Sequence, residues 1–440
     1  MSRRDSFRKN EARRTTSGST LSQTCWFVIK EMTVKLNIIV ANDSCEVDGG
    51  AALVALEDAQ ALARKGHRVI FFSACGTPPV NQTGIEWISL GQRTILDEPN
   101  RLKAAVNGLW NASAANALGA LLTQLPKEST IVHLHGWSKA LSGSVVSMVH
   151  RKGFRLVCTL HDYFSVCPNG GLYDYPTRRV CTRQPMSMSC VSRNCDSRRY
   201  AHKVWRVVRQ FIWRYGAGIP RKFDLMIAVS KFSAEKIASH AKGSSIEVVD
   251  NLPTLQQSAL QSMEQRSAVV YAGRIAAEKG VDLYLEACRI AQIPAEVWGD
   301  GPLLPELRQQ WPDANFSGWL PKAELTKRLQ KAQALVLPSL WYENSPMIIA
   351  EAAAAGVPVI VSDHGAPATL VEDGVTGLHF RAGDAADLAE KVAQLHKDPQ
   401  YAHVMGQTAY KRFWMDYDAR AHGRIEQIEA CYQKLLGAAE

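Results

Sequence analysis

Short apolar runs of four or five residues recur along this chain and alternate with longer stretches whose apolar residues fall at every third or fourth position. That alternation is the strongest constraint on the fold, because it suits parallel sheets covered by helices and little else. It occurs twice. In the first series, Leu36–Val40, Val69–Ser73, Ile131–Leu134, Leu156–Leu160 and Leu225–Val229 read as strands. Between the first two lies 50–66, where Leu53, Leu56, Ala59 and Leu62 share one helical face, so strand, glycines, helix and strand make a βαβ unit. The second series predicts strands at Val269–Ala272, Glu296–Trp298, Ala334–Leu337 and Val357–Val361, with helices at 281–293, 324–331, 347–355 and 384–396. Between the series, 251–267 carries Pro253 and several Gln and Ser residues and reads as a linker. The expected architecture is α/β: Rossmann-like domains at 34–250 and 268–410 facing each other across a cleft, then a helix within 411–440, clearest over 419–436, that would either stay or cross back.

A chain of 440 residues is long enough for two such domains. Its composition, 46% hydrophobic and 21% charged, suits a globular protein and excludes a disordered one. No stretch approaches the roughly 20 apolar residues that a membrane span needs. Residues 1–33 begin basic and rich in Ser and Thr, and the apolar run Cys25–Ile29 is too short for a signal peptide. A disordered cationic leader on a cytoplasmic protein is expected, with Met32 as an alternative start. The net charge of +9 asks for an anionic partner, whether phosphate, phospholipid or nucleic acid. Most of the ten cysteines are scattered, but Cys167, Cys181, Cys190 and Cys195 share one Gly/Pro-rich segment. Their spacing lacks the tight pairs of well-marked zinc sites, so a structural zinc, a disulfide or redox pair and unlinked thiols all stay open.

Chemistry concentrates after the strands of the second series. Strand 334–337 ends at Pro338, a loop carries Glu343, and Ser345 and Pro346 predict a helix start with Ser345 as its cap. Free N–H groups at that start, including those near Met347, make a phosphate site at the carboxyl edge of a parallel sheet. Glu343 and Glu351 bracket it; carboxylates there would accept hydrogen bonds from sugar hydroxyls. Upstream, Gly273, Arg274 and Lys279 follow another strand and offer two cations to a diphosphate leaving group. Asp300 and Gly301, in "GDGP", follow the next strand where backbone can meet a nucleotide.

This order of motifs, GR…EKG, GDGP, SGW, then PS…E-x7-E with AGVPV, resembles the C-terminal domain of retaining glycosyltransferases of family 4 (glycosyltransferase group 1), which have the GT-B fold. The resemblance implies that Arg274 and Lys279 bind the donor diphosphate, Glu343 the donor sugar, Glu351 the ribose, and backbone amides of 345–347 the donor. Many members have Gly-Phe-Gly where this chain has Asn344-Ser345-Pro346, so the donor sugar is not named by it. In the first series, Gly49 and Gly50 are a plain turn or, as the resemblance implies, a loop that approaches the donor. His161, at a strand end in "TLHDYF", resembles the family histidine beside the reacting sugar. The reaction implied is hexosyl transfer from a nucleoside-diphosphate sugar with retention, by front-side attack. No Asp-x-Asp motif stands out, so no catalytic metal or other cofactor is expected.

The acceptor implied is a glycan or lipid-linked glycan, in surface-polysaccharide assembly. Within 203–214, Val204, Val207, Val208, Phe211 and Ile212 share a face flanked by basic residues, and no acid occurs from 197 to 223. Such a helix either lies on anionic lipid at the inner face of a membrane or packs on its own domain with a solvated cationic side. Nucleic acid is not expected, since no basic platform interleaved with aromatics appears. The absent G-x-G-x-x-G argues against a dinucleotide enzyme. Rival readings are a non-catalytic nucleotide-sugar-binding partner and a UDP-sugar epimerase, which lacks the E-x7-E arrangement.

Overall fold

The computed structural model describes residues 35–47, 49–79 and 83–437; the expected leader and Asp48 lie outside them. The first series folds into β1 (Asn37–Ser44), β2 (Arg68–Cys75), β3 (Ile85–Gln92), β4 (Thr130–Leu134) and β5 (Arg155–Leu160). After a small antiparallel hairpin, β6 (Tyr173–Asp174) with β7 (Arg179–Val180), come β8 (Leu225–Ala228) and β9 (Ile246–Val248). The second series gives β10 (Ala268–Ala272), β11 (Glu296–Trp298), β12 (Asn315–Gly318), β13 (Ala332–Leu337), β14 (Val359–Ser362) and β15 (Gly377–Phe380). Two parallel sheets result, ordered β3-β2-β1-β4-β5-β8-β9 and β12-β11-β10-β13-β14-β15.

The strands expected from sequence are the interior ones. Those not anticipated, β3, β9, β12 and β15, are the four sheet edges. Interior strands are covered on both faces and read as unbroken apolar runs. An edge such as β9 or β12 is largely exposed or half-buried and gives no such run. In both sheets the strand order reverses beside the first strand, between β1 and β4 and between β10 and β13. Loops at the carboxyl ends of those strands diverge and leave a crevice.

Two helices depart from their expected faces. Helix Gly50–Arg64 buries Ala52, Ala55, Ala59 and Leu62, while Leu53 and Leu56 are only half-buried; the rotation brings Asp58 fully inside. Helix Tyr200–Ile212 is inverted. Lys203, Arg209 and Gln210 are buried, whereas Val204, Val208 and Phe211 are 47%, 44% and 56% exposed. Its cations have partners inside: the Arg209 guanidinium lies 4.7 Å from the Phe164 ring centre and 4.4 Å from that of Trp213. A solvated cationic face is therefore ruled out, because the apolar side points outward.

The chain's end forms two helices in place of one. Pro399–Trp414 stays with the second sheet, where Ala402 and Met405 join its core. After Met415–Asp416, helix Tyr417–Gly437 crosses back, and Ile428 and Tyr432 bury among Ile38, Val40, Ile131 and Val157. Full burial of one such side chain stabilises by about 1.5–3 kcal/mol. Polar ties reinforce the crossing: Arg424 pairs with Asp58, and Glu429 with Lys65 and with His67 at 2.7 Å.

Candidate functional site

The crevices of the two sheets open onto one cleft of about 960 Å³. Every catalytic and donor-binding candidate lines it: Gly49, Gly50 and His161 from the first domain, and Gly273, Arg274, Lys279, Asp300, Gly301, Glu343, Ser345, Pro346, Met347 and Glu351 from the second. A Cβ placed on Gly50 would lie 3.4 Å from the Met347 methyl, so the glycine loop and the opposite helix start are within contact distance.

The glycines after β10 and β11 are fixed by contact between backbones. Gly299 has φ of +143°, and a Cβ there would fall 1.9 Å from the Gly273 carbonyl oxygen, so no side chain fits. Gly301 is blocked in the same way by the Ile275 carbonyl at 2.2 Å. These contacts set two backbone turns side by side at the cleft wall.

Glu343 is the best-held charge in the cleft. Its buried carboxylate accepts from Lys279 Nζ at 2.7 Å and from the Ser339 hydroxyl at 2.6 Å. Burial pushes its pKa up, but Lys279, then Ser339, outweigh it and hold the carboxyl below the ordinary range. Lys279 also sits 5.0 Å from the Trp341 ring centre. Arg274 is mostly exposed, with Glu278 at 4.0 Å, and is open to an incoming anion. Glu351 pairs with Lys322.

The helix after Glu343 starts at Met347 as the expected 347–355 bounds have it, but without the expected cap. It spans Met347–Ala354, with Pro346 as its cap residue and no side-chain cap, so Ser345 does not fill that role. The first amides are left without a capping oxygen, which an anion can supply. The loop before it is tied to the first domain by the Ser230 hydroxyl, which donates to the Asn344 carbonyl at 2.6 Å. Trp319, quoted in the SGW motif without a role, also lines the cleft, as do Trp341 and Tyr342, which were missed because scattered loop aromatics carry no spacing signal.

On the opposite wall, His161 Nε2 lies 3.1 Å from His135 Nδ1. Burial pushes His161 down to about 4, and also lowers His133 and His135, so all three imidazoles are neutral near pH 7. The cysteine segment reaches this region too. Gly171 lies against Trp341, and Arg178 binds Asp282 at 2.7 Å across the domains. Of the three readings left open for Cys167, Cys181, Cys190 and Cys195, the structure has unlinked thiols, with neither a disulfide nor a zinc site. Among the described residues no group of three or more His, Cys, Asp or Glu side chains is arranged to hold a metal. The buried Lys203 ammonium lies 3.3 Å from Cys195 Sγ and 3.7 Å from Cys190 Sγ, where it would repel a second cation.

Comparison with known proteins points the same way. Residues 255–412 match the family model for glycosyl transferases group 1, and 48–252 match that for glycosyltransferase family 4. The chain is 25% identical to glycogen synthase of Mycobacterium tuberculosis over 386 residues, covering 81% of this chain and 85% of that protein. It is 28% identical to alpha-D-kanosaminyltransferase of Streptomyces kanamyceticus over 184 residues, a match that spans 39% of this chain and only 47% of that relative. The fold is similar to that of Anabaena HepE solved with UDP and glucose, with a TM-score of 0.61 and 16% identity, over 91% of this chain and all of that one.

Proposed function

This chain belongs to the family 4 glycosyltransferases of group 1, and we propose that it moves a hexosyl unit from a nucleoside-diphosphate sugar to a glycan or lipid-linked glycan, retaining anomeric configuration. The observation that carries this reading is the Lys279–Glu343 pair, set beside exposed Arg274 and the uncapped start of helix Met347–Ala354. In it, Arg274, Lys279 and the helix amides neutralise the diphosphate as the bond to the sugar breaks. Glu343 accepts from a sugar hydroxyl, Glu351 from the ribose, and His161 orients the sugar from the facing wall. Gly49 and Gly50 bring backbone to the donor, and Gly273, Asp300 and Gly301 shape the wall beside the nucleotide. The leaving phosphate helps take the acceptor proton on the same face, and no step calls for a metal.

The domain assignment proposed is an acceptor domain over 34–250, a linker over 251–267 and a donor domain over 268–410. The acceptor side is proposed to rest on the anionic inner face of a membrane, in surface-polysaccharide assembly. Support comes from the outward apolar face of helix Tyr200–Ile212, continued by Tyr215 and by Leu102 and Val106 of the adjacent helix Arg101–Leu109, with Arg101, Arg199 and Arg214 exposed around it. No helix among the described residues is long and apolar enough to cross a membrane, so contact would be peripheral.

The test is calorimetric binding and slow hydrolysis of UDP-, GDP- and ADP-sugars by the wild type and by Glu343→Ala. One donor should bind saturably and release sugar, and the variant should do both more weakly. A donor that binds but is never cleaved, even with acceptor glycans, would indicate a binding partner. No binding at millimolar donor would sink the reading.

A further inference from the structure

The cleft histidine is the end of a buried chain that begins on the crossing helix. Asp58 is wholly buried and forms a two-pronged ion pair with Arg424, one prong being Nη2 to Oδ2 at 3.0 Å. That cation lets the carboxylate stay charged inside the protein. Its Oδ2 faces His135 Nε2 at 3.9 Å, too far for a hydrogen bond, and this nitrogen has no hydrogen-bond partner among the described residues. The other nitrogen, Nδ1, meets His161 Nε2 at 3.1 Å. His133, whose ring centre is 4.3 Å from that of His135, does not compete. Its nitrogens are engaged by the Tyr432 hydroxyl at 2.6 Å and the Thr159 hydroxyl at 2.7 Å.

We infer that Asp58, held by Arg424, sets through His135 which nitrogen of His161 carries the proton. A lone pair on His135 Nε2 would face a buried carboxylate and be repelled, whereas an N–H there is attracted. His135 then has its proton on Nε2 and a lone pair on Nδ1. Only one hydrogen fits between the two rings, so His161 Nε2–H donates to His135. His161 Nδ1 makes no hydrogen bond within the described residues, and it is left unprotonated, an acceptor for a hydroxyl of the bound sugar. Asp58, His135 and Arg424 are positioning residues on this account. It rests on the transferase reading only for what His161 accepts from; the protonation pattern itself does not.

Long-range nitrogen–proton NMR of the 15N-labelled full chain reads the tautomers directly, without substrate. In the wild type, both His135 and His161 should carry the proton on Nε2. In Asp58→Asn, Arg424 takes the amide oxygen and turns the NH2 toward His135 Nε2, reversing the chain. His161 should then switch to the Nδ1–H form, and kcat should fall roughly ten- to hundredfold, the scale typical of lost supporting hydrogen bonds, with KM for the donor changing less. Asp58→Glu, which keeps the charge, should hold the wild-type tautomer and recover part of kcat. A wild-type His135 with its proton on Nδ1, or a folded Asp58→Asn whose His161 keeps Nε2–H, overturns the inference. If the tautomers switch while no nucleotide sugar binds, the inference stands and the transferase reading alone falls.

Discussion

The two domains keep their charge in different places. The second domain displays it at the cleft: Arg274 is mostly exposed, Lys279 partly so, and Glu343 lies one ion pair behind them. The first domain hides it, with Asp43, Asp58, Lys203 and Arg209 all under 8% exposed. Asp43, for instance, accepts backbone N–H groups from Lys139, Ala140 and Leu141 at 2.7–2.8 Å and fixes the loop after β4. Charge at a cleft edge is poised for a ligand, whereas charge in a core shapes the backbone or orients another group. The first domain therefore contributes to the cleft mainly through what its buried groups hold in position.

Breaking the Lys279–Glu343 pair should have the largest effect. Lys279→Ala leaves a buried carboxylate without its cation, and urea melts should show a loss of about 3 kcal/mol. Lys279→Met with Glu343→Leu should regain most of that stability, since no charge is left stranded. Transfer should fall roughly 10²–10³-fold in both. Stability and activity parting company in the double variant would mark the pair as functional charge. If activity returned along with stability, the second domain would be storing charge for structure, as the first does.

The sequence made the second domain's cleft wall legible because each of its residues follows a strand in one βαβ run, so order and spacing carry the information. Gly273, Arg274, Lys279, Glu343 and Glu351 span fewer than 80 residues and reach one cleft wall by local folding. On the opposite wall Gly49, Gly50 and His161 were legible, but nothing behind His161 was. Its supports, Asp58, His135 and Arg424, are more than 360 residues apart at the extremes and meet because the last helix crosses back. Asp58 gave no signal, because the helical face was drawn through Leu53 and Leu56. Edge strands β3, β9 and β12 escaped for a related reason: half-solvated residues leave no apolar run, while β15 is buried but breaks its short run with Gly377 and His379. The cysteines stayed open between three readings because spacing does not reveal a lysine arriving from a later helix.

The domains should also titrate separately. His161, at about 4 in the fold and near 6.5 when unfolded, takes its proton first in the unfolded chain. Below pH 6.5 the unfolded state is thus favoured, and stability should drop progressively until about pH 4, by up to about 3 kcal/mol from this ring. His133 and His135 act in the same direction. Glu343, held below its ordinary value, keeps its contribution above the unfolded carboxylate pKa and loses it only as pH falls through the folded one. Urea midpoints measured from pH 7.5 to pH 4 should fall through the histidine window before any carboxylate loss. Asp162, raised by burial to about 6, gains stability over the same window and opposes this fall, so constant midpoints from pH 7 to pH 5 in Asp162→Asn would mean that the histidines are not held neutral.

The smallest stability effect should come from the inverted helix, and its smallness is the point. Val208 and Phe211 are 44% and 56% exposed, so Val208→Ser with Phe211→Ser should leave the melting temperature nearly unchanged, as surface substitutions usually stay within about 0.5 kcal/mol. A core face would lose several times that. If the apolar side meets an anionic bilayer, the same pair should cut co-sedimentation with phosphatidylserine vesicles about tenfold or more, since each side chain gives up burial in lipid. Pure phosphatidylcholine vesicles should bind the wild type weakly, because the surrounding arginines then have no counter-charge. Unchanged vesicle binding in the double variant would remove the membrane from the proposal and leave the outward face without a partner. Loss of stability in place of binding would show that the face is packed after all, and that the first domain does not bury its cations at the expense of its apolar side chains.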